Sequence, residues 1–353
     1  MAAPSRIPHS RPTLGEEEAQ AAAGAVRSGQ IAQGPRTAAF EAEVARYAGR
    51  AHGVAASSGT AALHLALHAM GVRPGDAVVV PSYNCPALVQ AVRHLRALPR
   101  LCDVDPLTGN PTAETVSPAA GGARAVVVAH LFGRAADAAG IAALGPPVVE
   151  DLAQALGAGG PGGPAGRTGV LAICSFYATK PLAAGEGGMV LGDDPALLAR
   201  VRDAREYDER DDLLPRWNYK LTDVQAAIGR VQLSRYEDFI ARRRAIAAAY
   251  SQRLAGTGLG LPQEPPGGRH IFHRYVVRLP EGVDADEAVQ ALDAKGIGAR
   301  RPIYRPLHRL LGESGFPGAE EAWARHLSLP IYPSLTEGEI ERIMNAVCAF
   351  LRG

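Results

Sequence analysis

Ser175-Phe176-Tyr177-Ala178-Thr179-Lys180, running on into Gly185-Glu186-Gly187-Gly188, decides how this chain folds. The apolar run 171–174 leads into it, and a glycine-rich turn follows the lysine. The chain carries 37 Lys and Arg, of which three are lysines: Lys180, Lys220 and Lys295. Arginine keeps its charge, whereas a lysine amine can lose its proton and condense with an aldehyde. A lysine retained here, in a chain that writes nearly all its positive charge as arginine, points to a Schiff-base residue.

Upstream, the runs 77–80, 125–129 and 148–150 are short, apolar throughout and separated by helix-like or Gly/Pro segments. With 171–174 they read as strands of a largely parallel sheet covered on both faces. Apolar spacing predicts helices over 16–28, 36–48, 61–70, 285–294 and 337–351, and one long helix over 221–254. The segment 270–279 alternates like a strand, 157–169 reads as an exposed Gly/Pro loop, and 1–12 as an arm without regular structure. The expected fold is therefore α/β, with a large domain over 1–240 and a smaller α+β domain over 241–353.

At 353 residues the chain can bury a sizeable core, and 47% hydrophobic with 21% charged residues describes a soluble globular protein. A net charge of +1 argues against nucleic acid or an acidic membrane surface as partner. Cys85, Cys102, Cys174 and Cys348 show neither CxxC pairs nor metal spacing and read as reduced thiols of a cytoplasmic protein. No signal pattern or membrane-length apolar run is present.

A Schiff-base lysine suggests pyridoxal 5'-phosphate, which needs a carboxylate at its ring nitrogen, phosphate donors and a group over the ring. Asp151 ends the strand 148–150, where open α/β sheets bind ligands, and a carboxylate there can hold a ring proton. The competing reading, a helix-capping Asp, is weakened by the pairing with Lys180. Gln154, three residues on, is placed to meet the ring hydroxyl. Ser58-Gly59-Thr60 opens a helix, where free N–H groups and the helix dipole attract phosphate, and Ser175 adds a hydroxyl. His64 and His68 have metal-ligand spacing but no third ligand, so both read as structural.

With these residues in hand, the chain resembles the DegT/DnrJ/EryC1/StrS family of sugar aminotransferases, within the fold-type I pyridoxal-phosphate enzymes. The resemblance runs in order through Gly15-Glu16-Glu17-Glu18, Ser58-Gly59-Thr60, Pro74-Gly75-Asp76, His130-Leu131-Phe132-Gly133, Glu150-Asp151-Leu152-Ala153-Gln154-Ala155 and the Lys180 segment. Beyond these come Asn218-Tyr219-Lys220-Leu221-Thr222-Asp223 and Leu329-Pro330-Ile331-Tyr332-Pro333.

The resemblance implies that Lys180 holds the cofactor and shuttles protons, that Asp151 meets the pyridinium and Gln154 the ring oxygen, and that Gly59, Thr60 and Ser175 hold the phosphate. It implies that Asn218 reaches the phosphate of a neighbouring subunit, making the active unit a homodimer, and that His308 lies near the sugar. Two positions depart from the pattern. Relatives often place an aromatic ring where Cys85 stands, so Cys85 or nearby Tyr83 would face the cofactor. Lys220 replaces a frequent Arg and would receive a substrate carboxylate or phosphate as a point charge.

The implied reaction moves an amino group from L-glutamate or L-glutamine to a keto sugar, with a cyclitol ketone as the nearest alternative acceptor. The cluster Arg300, Arg301, Arg305 and Arg309 would either neutralise a nucleotide diphosphate or form a solvated face. A dehydratase of the same family would lack the lysine. A non-catalytic regulator would not need Lys180, Asp151 and Ser175 together. A nicotinamide dehydrogenase would need a G-x-G-x-x-G turn after a strand, which is absent from that context.

Overall fold

Alternate residues in the apolar runs face opposite layers. Val78, Val80, Val127 and Val149 pack into one core, and Val79, Val126, Val128 and Val148 into another on the opposite side. That two-sided burial is why these strands read as continuous apolar runs. The computed structural model describes residues 6–352. Its seven-stranded sheet contains β1 (His52–Ala56), β2 (Ala77–Pro81), β3 (Leu98–Cys102), β4 (Ala125–Ala129) and β5 (Val148–Asp151). After a two-residue hairpin, β6 (Gly159–Gly160) and β7 (Gly163–Pro164), the chain adds β8 (Leu171–Ser175) and β9 (Gly188–Gly192).

The order across the sheet is β1-β9-β8-β5-β4-β2-β3. Neighbours from β8 to β3 pair in parallel, and β9 is antiparallel to both β8 and β1. Ala56 is opposite Gly188, and Gly188 opposite Ser175; Asp151 is level with Ala129. The carboxyl ends of β1, β8, β5 and β4 therefore meet along one edge, where an open α/β sheet forms its ligand crevice.

A second core gathers Ile246, Tyr250, Leu254, Tyr275, Leu292, Leu327, Ile343 and Val347. It lies around the antiparallel pair β10 (Tyr275–Arg278) and β11 (His326–Leu329) and the helices Ala285–Ala294 and Glu337–Phe350. The helix Tyr236–Leu254 serves both cores: Tyr236, Phe239 and Ile240 pack under the large sheet, Ile246 to Leu254 in the second core. The 240/241 boundary thus falls inside one continuous helix.

Several expectations need correction. The stretch 221–254 is two helices, Asp223–Ser234 and Tyr236–Leu254, because Arg235 leaves helical geometry at φ −100° and ψ 2°. Of 270–279 only Tyr275–Arg278 is strand; ahead of it Ile271 N–H donates to Gly133 O, and Gly133 packs so closely on the Phe272 and His273 amides that any Cβ there would lie 2.8 Å away. The loop 157–169 forms the β6–β7 hairpin and sends three backbone N–H groups inward to Glu150. Over its described residues the arm has no helix or strand, as expected, and it is also docked: Ile7 is fully buried in the second core and bridges to Ile297, while residues 1–5 lie outside the described chain. Among the described residues no helix is long and apolar enough to cross a membrane.

Candidate active site

Ser58 caps the helix Gly59–Ala69, its Oγ accepting from Ala61 N at 3.1 Å, and the N–H groups of Gly59 and Thr60 begin the helix without intrahelical acceptors. Ser175 presses against that helix start: a Cβ on Gly59 would lie 2.7 Å from Ser175 Cβ and 3.1 Å from its Oγ. Gly188 fits the same corner for the same reason, since a Cβ there would sit 2.2 Å from Ser58 O. The backbone of β9, the helix start and Ser175 thus pack so closely that a side chain at either glycine would clash with them.

Lys180 sits in the loop joining β8 to β9, held by Ala178 N–H to Gly185 O at 2.9 Å and its own N–H to Tyr177 O at 2.8 Å. Burial pushes its ammonium down from the usual lysine range; negative charge at Cys85 and Asp151 opposes that shift, and Arg274 adds to it. A lowered lysine supplies more of the neutral amine that attacks a carbonyl. Burial pushes the Asp151 carboxyl up, while the hydrogen bond from Ala153 N at 2.8 Å and the charge of Lys180 pull it back. Cys85 opens onto the same cleft; burial raises its thiol, and it too feels both Lys180 and Asp151. Gln154 Oε1 accepts from Phe132 N at 3.1 Å, which orients the side chain and leaves its amide N–H groups free to donate.

Glu150, the residue before Asp151, is the site's foundation, and sequence reasoning overlooked it. Its carboxylate accepts from His130 Nε2 at 2.9 Å and from the N–H groups of Gly166, Thr168 and Gly169 at 2.8, 2.8 and 2.6 Å. His130 Nδ1 accepts from Ala136 N, so its proton is on Nε2, facing Glu150. Despite burial, the His130 contact and the loop amides hold Glu150 at about 2, well below the usual carboxylate range. The signal available in the sequence was the pairing of His130 with Glu150 at the ends of adjacent strands.

Other candidates lie elsewhere. Tyr83 is not a ring-facing residue: it is fully buried against Phe132 and His326, its hydroxyl toward Ala322 O and His326. His308 is neither exposed nor free for a sugar. It is buried, stacked on Phe316, with Nδ1 against Ser82 Oγ and Nε2 against Glu320, each at 2.6 Å. Lys220 pairs with Asp208 beside the Tyr207 ring. Asn218 is exposed, in a segment whose neighbour Tyr219 receives Ser57 N–H. His64 and His68 pack on Trp217. In the arginine cluster, Arg301 pairs with Asp286, Arg309 with Glu320, and both cover Trp323.

Comparison with known proteins decides the lineage. The sequence profile of the DegT/DnrJ/EryC1/StrS aminotransferase family matches residues 12–348. The chain belongs to this family. It is 36% identical over 331 residues to GDP-perosamine synthase from Caulobacter vibrioides, covering 87% of this chain and 88% of that protein. Its fold matches the aminotransferase TlmJ from Streptoalloteichus hindustanus with a TM-score of 0.92 and 36% identity, over 98% of this chain and 99% of the other. The PLP-form of Spr1654 from Streptococcus pneumoniae matches with a TM-score of 0.92 and 25% identity, over 98% of this chain and 99% of the other. Within this family the chain is a pyridoxal-phosphate-dependent aminotransferase with a fold-type I architecture.

Proposed function

We propose that the protein transfers an amino group from L-glutamate or L-glutamine to a nucleotide-linked keto sugar, in amino-sugar biosynthesis. The observation that carries this reading is the meeting, on one sheet edge, of Lys180, Asp151 and the cradle of Gly59, Thr60 and Ser175. The cradle is lined by small residues and open N–H donors, which fits a phosphate. The relative whose name contains a GDP-linked sugar supports a nucleotide-linked acceptor over a cyclitol.

Pyridoxal 5'-phosphate supplies a protonated ring that withdraws electrons from the substrate carbon. The chain's own residues do the rest. With the cofactor bound, Lys180 Nζ would hold it and move the proton at the substrate carbon. Asp151 would keep a proton on the ring nitrogen by a charge-assisted hydrogen bond. Gln154 would donate to the cofactor, Ser58 and Ser175 would hold its phosphate, and Cys85 would pack beside it. Lys220, paired with Asp208, would receive a substrate carboxylate or phosphate as a point charge, and exposed Asn218 would reach the phosphate site of a second copy, which favours a homodimer with shared sites.

Borohydride treatment of the yellow protein should fix the cofactor to the peptide containing Lys180, and L-glutamate alone should change its absorbance. Colourless protein that ignores added cofactor defeats the reading. Mixing Asn218→Ala with Lys180→Ala subunits should restore part of the activity; no rescue removes the shared-site dimer.

A further inference from the structure

β1 is an edge strand of the large sheet, paired on one side with β9. A free edge leaves backbone N–H and C=O groups in need of partners. Beyond β1, side chains and a returning segment supply them. Glu41 Oε1 accepts from Ala55 N at 2.8 Å. One terminal guanidinium nitrogen of Arg205 donates both to Ala55 O at 3.0 Å and to Glu41 Oε1 at 2.8 Å. Two residues on, Ser57 N–H donates to Tyr219 O at 2.7 Å. Ser58 and Gly59 follow directly.

Arg205 is 1% exposed and Glu41 7%. A buried ion pair is weak evidence for stability, because desolvation offsets the attraction. What this pair adds is direction. Arg205 ends the helix Pro195–Ala204, and the chain then makes a loop, 206–216, without helix or strand. On its return, Trp217 N–H donates to Ala204 O at 2.9 Å and Tyr219 N–H to Arg205 O at 3.0 Å. The bonds close a circuit: the Arg205 side chain to Ala55, Tyr219 N to Arg205 O, and Ser57 N to Tyr219 O.

The circuit also fixes which way the returning segment faces. Trp217 and Tyr219 stack with ring centroids 6.1 Å apart, and both pack inward on the core. Trp217 meets His64 of the helix Gly59–Ala69 at 4.4 Å. Side chains of an extended segment alternate, so Asn218 between them turns outward, and it is exposed.

We propose that Arg205, held by Glu41, is a positioning residue that aims Asn218 and so sets the phosphate contact made in a second copy. The inference rests on the shared-site homodimer reading. Asn218 is placed by two pinned neighbours, both tied to the backbone of residues 204 and 205. The chain's own phosphate site has independent support: Ala56 is opposite Gly188 in the sheet, and Ser58 caps its own helix. A disturbance at Arg205 is therefore felt in the partner's site more than in its own.

The test measures the pyridoxal phosphate concentration that half-loads Lys180, read as borohydride-fixed label on the Lys180 peptide. Arg205→Met with Glu41→Gln removes both charges together, so no buried ion is left unpaired. Arg205→Lys keeps a cation opposite Glu41 and serves the same comparison where the neutral pair does not fold. Homodimers of the neutral pair should need about 10- to 100-fold more cofactor, and those of Arg205→Lys about 3- to 10-fold more. Mixed dimers with Lys180→Ala subunits, isolated by two affinity tags, then locate the defect. Their one Lys180 lies in the Arg205-variant subunit, while Asn218 comes from the subunit whose Arg205 is intact. Half-loading should return to within about threefold of wild type. Wild-type half-loading in both variant homodimers, or a defect that stays with the variant subunit in the mixed dimer, overturns the proposal. Mixed dimers of Asn218→Ala with Lys180→Ala that load no better than Asn218→Ala homodimers overturn the shared-site reading instead.

Discussion

Replacing Glu150 by Gln keeps the shape of the side chain and removes its charge. Each carboxylate oxygen accepts two hydrogen bonds: Oε2 from His130 and Gly166, Oε1 from Thr168 and Gly169. A Gln amide group must point its NH2 at one of these pairs, leaving two buried donors without acceptors. At about 1–3 kcal/mol each, that destabilises by roughly 2–6 kcal/mol. A second route uses the titration. A carboxyl lowered from 4.5 to about 2 contributes about 3 kcal/mol at neutral pH. The sign follows from the direction: the folded state holds the proton less tightly, so this stability is present above the unfolded value near 4.5 and is lost as pH falls toward 2. Urea unfolding of the apo-protein should therefore show Glu150→Gln less stable by about 3 kcal/mol at pH 7. That gap should narrow as pH drops below about 4.5. A difference under about 1 kcal/mol at pH 7, or a gap that stays constant down to pH 3, would refute the account of Glu150 as the anchor of the loop behind Asp151.

Two further substitutions probe the cradle and the domain contact. Gly59→Ala places a Cβ 2.7 Å from Ser175 Cβ, so pyridoxal phosphate affinity should fall at least about tenfold, while the apo-protein loses no more than about 1–3 kcal/mol; absorbance titration checks it, and wild-type affinity would show that the cradle is not the phosphate site. His308→Gln breaks the link between Ser82 and Glu320, so unfolding should become easier by about 1–3 kcal/mol with the acceptor KM moving less than roughly threefold; a large KM change at unchanged stability would return His308 to the sugar site.

The parts of the candidate site that could be proposed from sequence are those whose chemistry is local. Lys180 stands out because the chain avoids lysine, and Asp151 because an acid at the end of an apolar run is out of place in a core. The Gly59 cradle follows from a capped helix start. The strands β1, β3 and β9 escaped because they are five residues long and interrupted by Gly, Pro or Arg, which hides any period. What could not be read were contacts made across long sequence separations. Asp223, part of the motif after Asn218, serves the helix Pro35–Tyr47, accepting from the N–H groups of Gly34, Arg36 and Thr37 and the Thr37 hydroxyl. His9 meets Arg274 across 265 residues. No periodicity in the arm announces that partner; only the apolar Ile7 among the prolines hints that the arm is anchored.

The electrostatics of Lys180 and Asp151 explain why the cleft is suited to a cationic ring. Burial drives both groups toward their neutral forms, Lys180 downward and Asp151 upward. For Lys180 that is the reactive form. For Asp151 it is the wrong one, since a neutral carboxyl holds a ring proton poorly. A protonated ring nitrogen beside Asp151 would supply the positive charge that makes its ionised form favourable again. One desolvated site thus primes the amine, while the carboxylate becomes a strong partner only when a cation lies against it. Glu150, one residue away, shows the contrast: four donors from the protein itself keep it ionised whatever the cleft contains. The adjacent acids of β5 therefore divide the work. One is committed to the fold through protein hydrogen bonds, and the other is left short of partners so that a ligand can supply them.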